Sequence, residues 1–156
     1  MRFYSIVLLV VTIAAVHSIE IGKSVKESVG ELNKGQLRYV IYSLKDGVQS
    51  DVEDSGPPSE SFKDMAAKIG KHDDSRYGMI DYEYEENGSP VKKRVLILWS
   101  PETATAAEKE IFRNAYDEKH AAAAGIDYFV QFNEKSELID ENLIAKLKVA
   151  PAIPKA

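Results

Sequence analysis

Asp81, Glu83 and Glu85 fall on alternate positions of the run RYGMIDYEYE. In a strand all three carboxylates share one face, neighbours standing about 7 Å apart. Two carboxylates at such a spacing suit acid–base chemistry, provided that a cleft gives them different environments. Ile80, Tyr82 and Tyr84 take the other face, a pattern that reads as a half-buried strand with a solvated charged side. The rest of the catalytic vocabulary is sparse. The chain has no cysteine, and its three histidines, His17, His72 and His120, lack metal-ligand spacing. Disulfides, thiolate metal sites and cysteine nucleophiles are thereby excluded. No glycine-rich phosphate loop, Gly-x-Ser-x-Gly turn or His-Glu-x-x-His helix occurs in it. The expectation is a protein that is not an enzyme, with no catalytic residues, metal or cofactor.

The cations are more informative. Lys92, Lys93 and Arg94 stand together at the start of an apolar run, and Lys146 and Lys148 lie near the C-terminus. Brought together, they would form a cationic patch suited to an acidic partner or an anionic lipid headgroup. Lysines guarding an edge strand explain them as well. The whole chain of 156 residues carries a net charge of −5, which argues against nucleic acid as a partner.

The elements that must position these groups follow from periodicity. Val25, Val29 and Leu32 recur at helical spacing between Lys23 and Asn33, with Gly35 beyond. The stretch from Leu37 to Leu44 is β-branched and aromatic, a strand. Asp51 to Glu60, with Gly56-Pro57-Pro58, reads as an acidic loop. Phe62, Met65, Ala66 and Ile69 give a second helix, ended by Gly70. Arg76–Glu85 and Val91–Trp99 flank Asn87-Gly88, the pair that favours a tight antiparallel hairpin. Pro101 stops strand pairing. Thr105-x-x-Glu108 is a capping-box signature, and the helix it opens runs to about Ala124, before Gly125. Ile126–Phe132 is a strand, Glu137–Lys148 a last helix with Leu143, Ile144 and Leu147 inward, and 151–156 a flexible tail. This order predicts an α/β protein, a mixed sheet covered by helices on both faces.

The N-terminus reads separately. Arg2, the apolar run Ile6–Val16 and the small residues before Ile19 have the plan of a secretory signal peptide over residues 1–18. On that reading Asn87-Gly88-Ser89 is a formal glycosylation sequon, with Pro90 directly behind it.

From Arg76 onward the chain resembles the actin-depolymerising factor/cofilin family. The residues that carry the likeness are Arg76-Tyr77, Asp81, Glu83-Tyr84-Glu85, the Asn87-Gly88 turn and, most specifically, Trp99-Ser100-Pro101-Glu102-Thr103-Ala104. The resemblance implies one ADF-H domain over 19–150, with a five- to six-stranded mixed sheet sandwiched between helices. It implies a monomer of the actin cytoskeleton and cytoplasm, or a secreted protein if the leader operates. It also implies binding to actin monomers and filaments, with filament severing and depolymerisation. By position it assigns monomer contacts to Lys109, Glu110, Phe112 and Arg113 of the long helix and to the segment Ile19, Glu20, Ile21. The filament-only contacts it assigns are Lys92, Lys93, Arg94, Lys146 and Lys148, where phosphoinositide lipids compete in the family.

The long helix departs from the family pattern. From Thr105 to His120 there are three cations, Lys109, Arg113 and Lys119, against Glu108, Glu110, Asp117 and Glu118, where the family is basic. Glu110 replaces an apolar anchor, and an unpaired carboxylate pressed into an apolar cleft costs several kcal/mol. Weakened actin binding is the expectation. The competing expectation is a secreted or compartment-resident module that keeps the fold and has lost the actin face.

Overall fold

The computed structural model describes residues 22–45 and 48–156. The leader reading of 1–18 and the contact segment Ile19–Ile21 lie outside the described residues. The described chain runs α1 (Lys23–Asn33), β1 (Tyr39–Lys45), β2 (Val48–Gly56), α2 (Phe62–Ile69), β3 (Arg76–Glu86), β4 (Ser89–Trp99), α3 (Ala106–Ala115), α4 (Glu118–Ala123), β5 (Tyr128–Phe132) and α5 (Asp140–Val149).

Five strands form one mixed sheet in the order β2-β1-β3-β4-β5. The β3–β4 hairpin is the longest ladder, in register from Arg76↔Trp99 to Glu86↔Ser89, and β5 joins β4 in parallel. Asn87 and Gly88 turn it with φ of 51° and 78°, the left-handed pair that matches strand twist.

Alternation sorts the strands' side chains into two cores. Ile80, Tyr82, Val95, Ile97, Trp99 and Phe132 pack with Phe62, Met65 and Ile69 of α2 and Leu143 and Leu147 of α5. On the other face Val40, Tyr42, Tyr77, Met79, Leu96 and Leu98 meet Val25 and Leu32 of α1, Phe112 of α3 and Ala121 of α4. Gly78 lets α2 approach the sheet, for a methyl group there would overlap the Met65 Cε.

Three expectations need correction. Residues 51–56 are not loop but most of β2, an edge strand paired antiparallel with β1. An edge strand with solvent beside it needs few apolar residues, so its acidic sequence hid it. The helix from Thr105 to Ala124 is two helices, because Tyr116 and Asp117 are both extended (ψ 125° and 120°). The Asp117 carboxylate accepts the His120 N–H at 2.9 Å and starts α4 afresh, while Tyr116 stacks on Phe129 at 4.3 Å. The tail is tied down rather than free. Ile153 is buried and its N–H donates to the Asp127 carbonyl, and Lys155 pairs with the Asp127 carboxylate.

Candidate functional site

The junction between β4 and α3 sets the geometry of the candidate site. Leu98, Trp99, Ser100 and Pro101 are all buried, and the Ser100 N–H donates to the Phe132 carbonyl at 2.9 Å. Pro101 has no N–H to continue the ladder, so the chain turns, with the Ala104 N–H bonded to the Pro101 carbonyl. Thr105 caps α3, its hydroxyl accepting the Glu108 N–H at 3.2 Å. Only this half of the capping box forms as the sequence implies. Glu108 instead reaches across to accept the Ser75 N–H. Two neighbours reach the same turn: Trp99 Nε1 donates to the His72 carbonyl at 3.0 Å, and Thr103 Oγ1 to that of Asp73 at 2.6 Å. Three side chains of the junction thus clasp residues 72–75, between α2 and β3.

From this anchored start α3 lies with one side on the sheet. Phe112 is 3% exposed and stacks on Tyr77 at 5.5 Å, while the Tyr77 hydroxyl donates to the Phe112 carbonyl. Burial raises the Tyr77 phenol above its ordinary pKa, so that hydroxyl stays protonated and donating. Phe112, expected among the contact residues, thus lies in the core and seats the helix rather than standing on its outward face. Ala107, Glu110, Ile111, Arg113 and Asn114 face outward, with Lys109 partly covered. Ile111 is 46% exposed. Sequence reasoning passed over it because a single apolar residue beside Phe112 looks like core; only the direction of the helix shows that the two point apart.

The basic residues do not form one patch. Lys92 and Lys93 alternate across β4, so Lys93 lies on the α2/α5 side of the sheet and Lys92 on the α1/α3 side. Lys92 is exposed, 4.0 Å from Glu83. Lys148 is exposed, and Lys146 lies over the Phe132 ring at 4.9 Å. Lys93 and the α5 lysines thus occupy one side of the sheet.

Arg94 turns inward. Its side chain is 11% exposed and meets Asp81 through Nε at 2.7 Å and Nη2 at 3.1 Å. The carboxylate row read as solvated is thereby split. Asp81 is buried at 5%, whereas Glu83 is exposed and held by Arg38 at 2.9 Å. The Arg38 hydrogen bond keeps the Glu83 carboxyl below its usual pKa. Arg94 and Arg38 thus each hold one carboxylate of the row.

The family model described as cofilin/tropomyosin-type actin-binding protein matches residues 18–148. Cofilin of Yarrowia lipolytica is 26% identical over 132 residues, 83% of this chain and 86% of that protein. Actophorin of Acanthamoeba castellanii is 27% identical over 124 residues, 78% of this chain and 89% of its own length. Among solved structures, the cofilin of Streptomyces griseoflavus superposes with a TM-score of 0.69 at 22% identity, covering 86% of this chain and all (100%) of that one. Plasmodium berghei actin depolymerization factor 2 gives a TM-score of 0.65 at 17% identity, covering 82% and 94%. The structural likenesses show a shared fold.

Proposed function

The chain belongs to the cofilin/actin-depolymerising-factor family of actin-binding proteins, and from that premise we propose that it binds actin monomers and filament sides and promotes filament disassembly. The observation that carries the reading is the outward face of α3, fixed at its start by the Trp99–Glu108 junction and carrying an exposed Ile111. In this reading α3 enters an apolar cleft on actin, with Ile111 as the apolar contact and Lys109 and Arg113 at the rim. Glu110 is solvated in the free protein and loses its water on docking, which weakens the contact. The filament-only contact is served from two sides of the sheet, by the partly covered Lys93 and Lys146 with the exposed Lys148 on one and by the exposed Lys92 on the other, and anionic phosphoinositide headgroups compete there.

No bond is made or broken in this activity. Binding energy that differs between actin conformations shifts the filament's own equilibrium. The full chain is expected to co-sediment with actin filaments at micromolar concentration and to shorten them under the microscope. A chain that stays in the supernatant at high micromolar concentration overturns the reading.

A further inference from the structure

We infer that Arg94 is a positioning residue for the monomer-contact face rather than a filament contact, because one guanidinium fixes the C-terminal ends of α1 and α4 to the sheet. What that face contacts rests on the proposed actin-binding function; the tethering itself is read from geometry.

Asp81 and Arg94 are direct partners in the β3–β4 register, and two donors of the guanidinium serve the buried carboxylate. The third nitrogen leaves the sheet. Nη1 donates to Asn33 Oδ1 at 2.7 Å, on the last residue of α1, and to the carbonyl of Ala124 at 3.0 Å, the C-cap of α4. A planar fork with five N–H groups can serve three acceptors in different directions; an ammonium on a flexible stem cannot hold the same geometry. The backbone strengthens the joint. The Arg94 N–H donates to Asp127 Oδ2 at 2.8 Å, and the Asp127 N–H returns a bond to the Arg94 carbonyl at 2.7 Å.

The two helices need such a joint. α4 has six residues, and Ala121 is its only buried side chain, so its length and apolar packing give it little hold. Its start is held by Asp117 and its end by Arg94, a cation on the Ala124 carbonyl where the helix dipole is negative. Gly125, at φ 75°, turns the chain just behind that carbonyl. α1 and α4 pack in the same core as Phe112 of α3, so the guanidinium fixes the two helices that flank the proposed monomer-contact helix on its face of the sheet. Swinging Arg94 outward to meet a filament would strand the Asp81 carboxylate in a buried site.

The test compares the full-length chain with Arg94→Lys, Asn33→Ala and Arg94→Gln. Lysine keeps the charge and a bond to Asp81 but releases both helices; alanine at 33 releases α1 alone. Hydrogen exchange in the free protein is expected to speed up about tenfold at the C-terminal turn of α4 in Arg94→Lys, and at that of α1 in both variants. Monomer affinity should fall about three- to tenfold in Arg94→Lys, with filament affinity falling in step and its salt dependence unchanged. Unchanged exchange and monomer affinity in Arg94→Lys overturn the inference. So does an Arg94→Gln protein that loses filament binding while binding monomer normally. If the unaltered chain binds no actin, the proposed function falls, and the exchange measurement alone decides whether Arg94 fixes the two helices.

Discussion

The two faces of the sheet are held by different means. On one, α2 and α5 are seated by apolar side chains, with Phe62, Met65, Ile69 and Leu143 at most 2% exposed. On the other, α1 is likewise seated by Val25 and Leu32, whereas α3 and α4 bury only Phe112 and Ala121, are capped by Thr105 and Asp117, and are tied to other segments through Glu108 and Arg94. The difference follows from what each face is free to bury. A helix that must offer its outer surface to a partner keeps fewer apolar residues for itself, and directional bonds fix its orientation instead. Buried rings on both faces are therefore expected to contribute stability, and α3 alone to contribute binding.

The sharpest break of that comparison is a pair of truncations. Phe62→Ala and Phe112→Ala each remove a buried ring and should each lower stability by about 3–5 kcal/mol in urea denaturation. Measured on folded protein, only Phe112→Ala should also weaken actin binding. Equal binding by both would mean that the seat of α3 is irrelevant to its contact.

Ile111→Asp reverses the emphasis. The residue is half exposed, so the denaturation midpoint should hardly move, while monomer affinity should fall by about 2 kcal/mol, as for a central apolar contact. Glu108→Ala should cost about 1–2 kcal/mol of stability through loss of the Ser75 amide bond, with Glu108→Gln recovering most of it, since an amide oxygen still accepts. Single reversals of Lys92 and Lys93 should alter filament affinity by about 1 kcal/mol or less. They are expected to differ from each other because the two side chains leave opposite faces of β4.

The smallest effect is a pH dependence. The His120 N–H holds the Asp117 carboxyl below its ordinary pKa of 3.8. A depressed folded pKa means that the charged form favours the fold, a contribution present above the unfolded pKa and lost as pH falls through the folded value. The protection of α4 amides, exchange being taken relative to the intrinsic rate at each pH, should therefore fall in acid below the ordinary carboxylate range, and Asp117→Ala should abolish that pH dependence.

Much of this was legible from residues alone. The Asn87-Gly88 pair specified the hairpin, helical spacing specified α2 and its inward residues, and Trp99–Ala104 marked the turn from strand to helix. β2 was not legible, since among Asp51, Val52, Glu53 and Asp54 only Val52 is apolar and edge pairing leaves little trace in composition. The break at Tyr116 was hidden by alanine-rich flanks with high helix propensity; a stack on Phe129, thirteen positions on, overrides it. Alternation placed Asp81 with Glu83 and Glu85 on one face, but it showed neither that Arg94 stands beside Asp81 nor what covers the pair. The answer, α1 and α4, comes from distant segments, and it turns two apparently solvated charges into a buried joint.

On the proposed reading α3 is the surface that meets actin, and Glu110 limits the contact. Titration of fluorescently labelled actin monomer with the full chain and with Glu110→Met tests it directly. Replacing a carboxylate that must desolvate by an apolar side chain should tighten monomer binding about tenfold or more. Unchanged or weaker binding by Glu110→Met would mean that Glu110 does not limit the contact and that α3 is not the surface that meets actin.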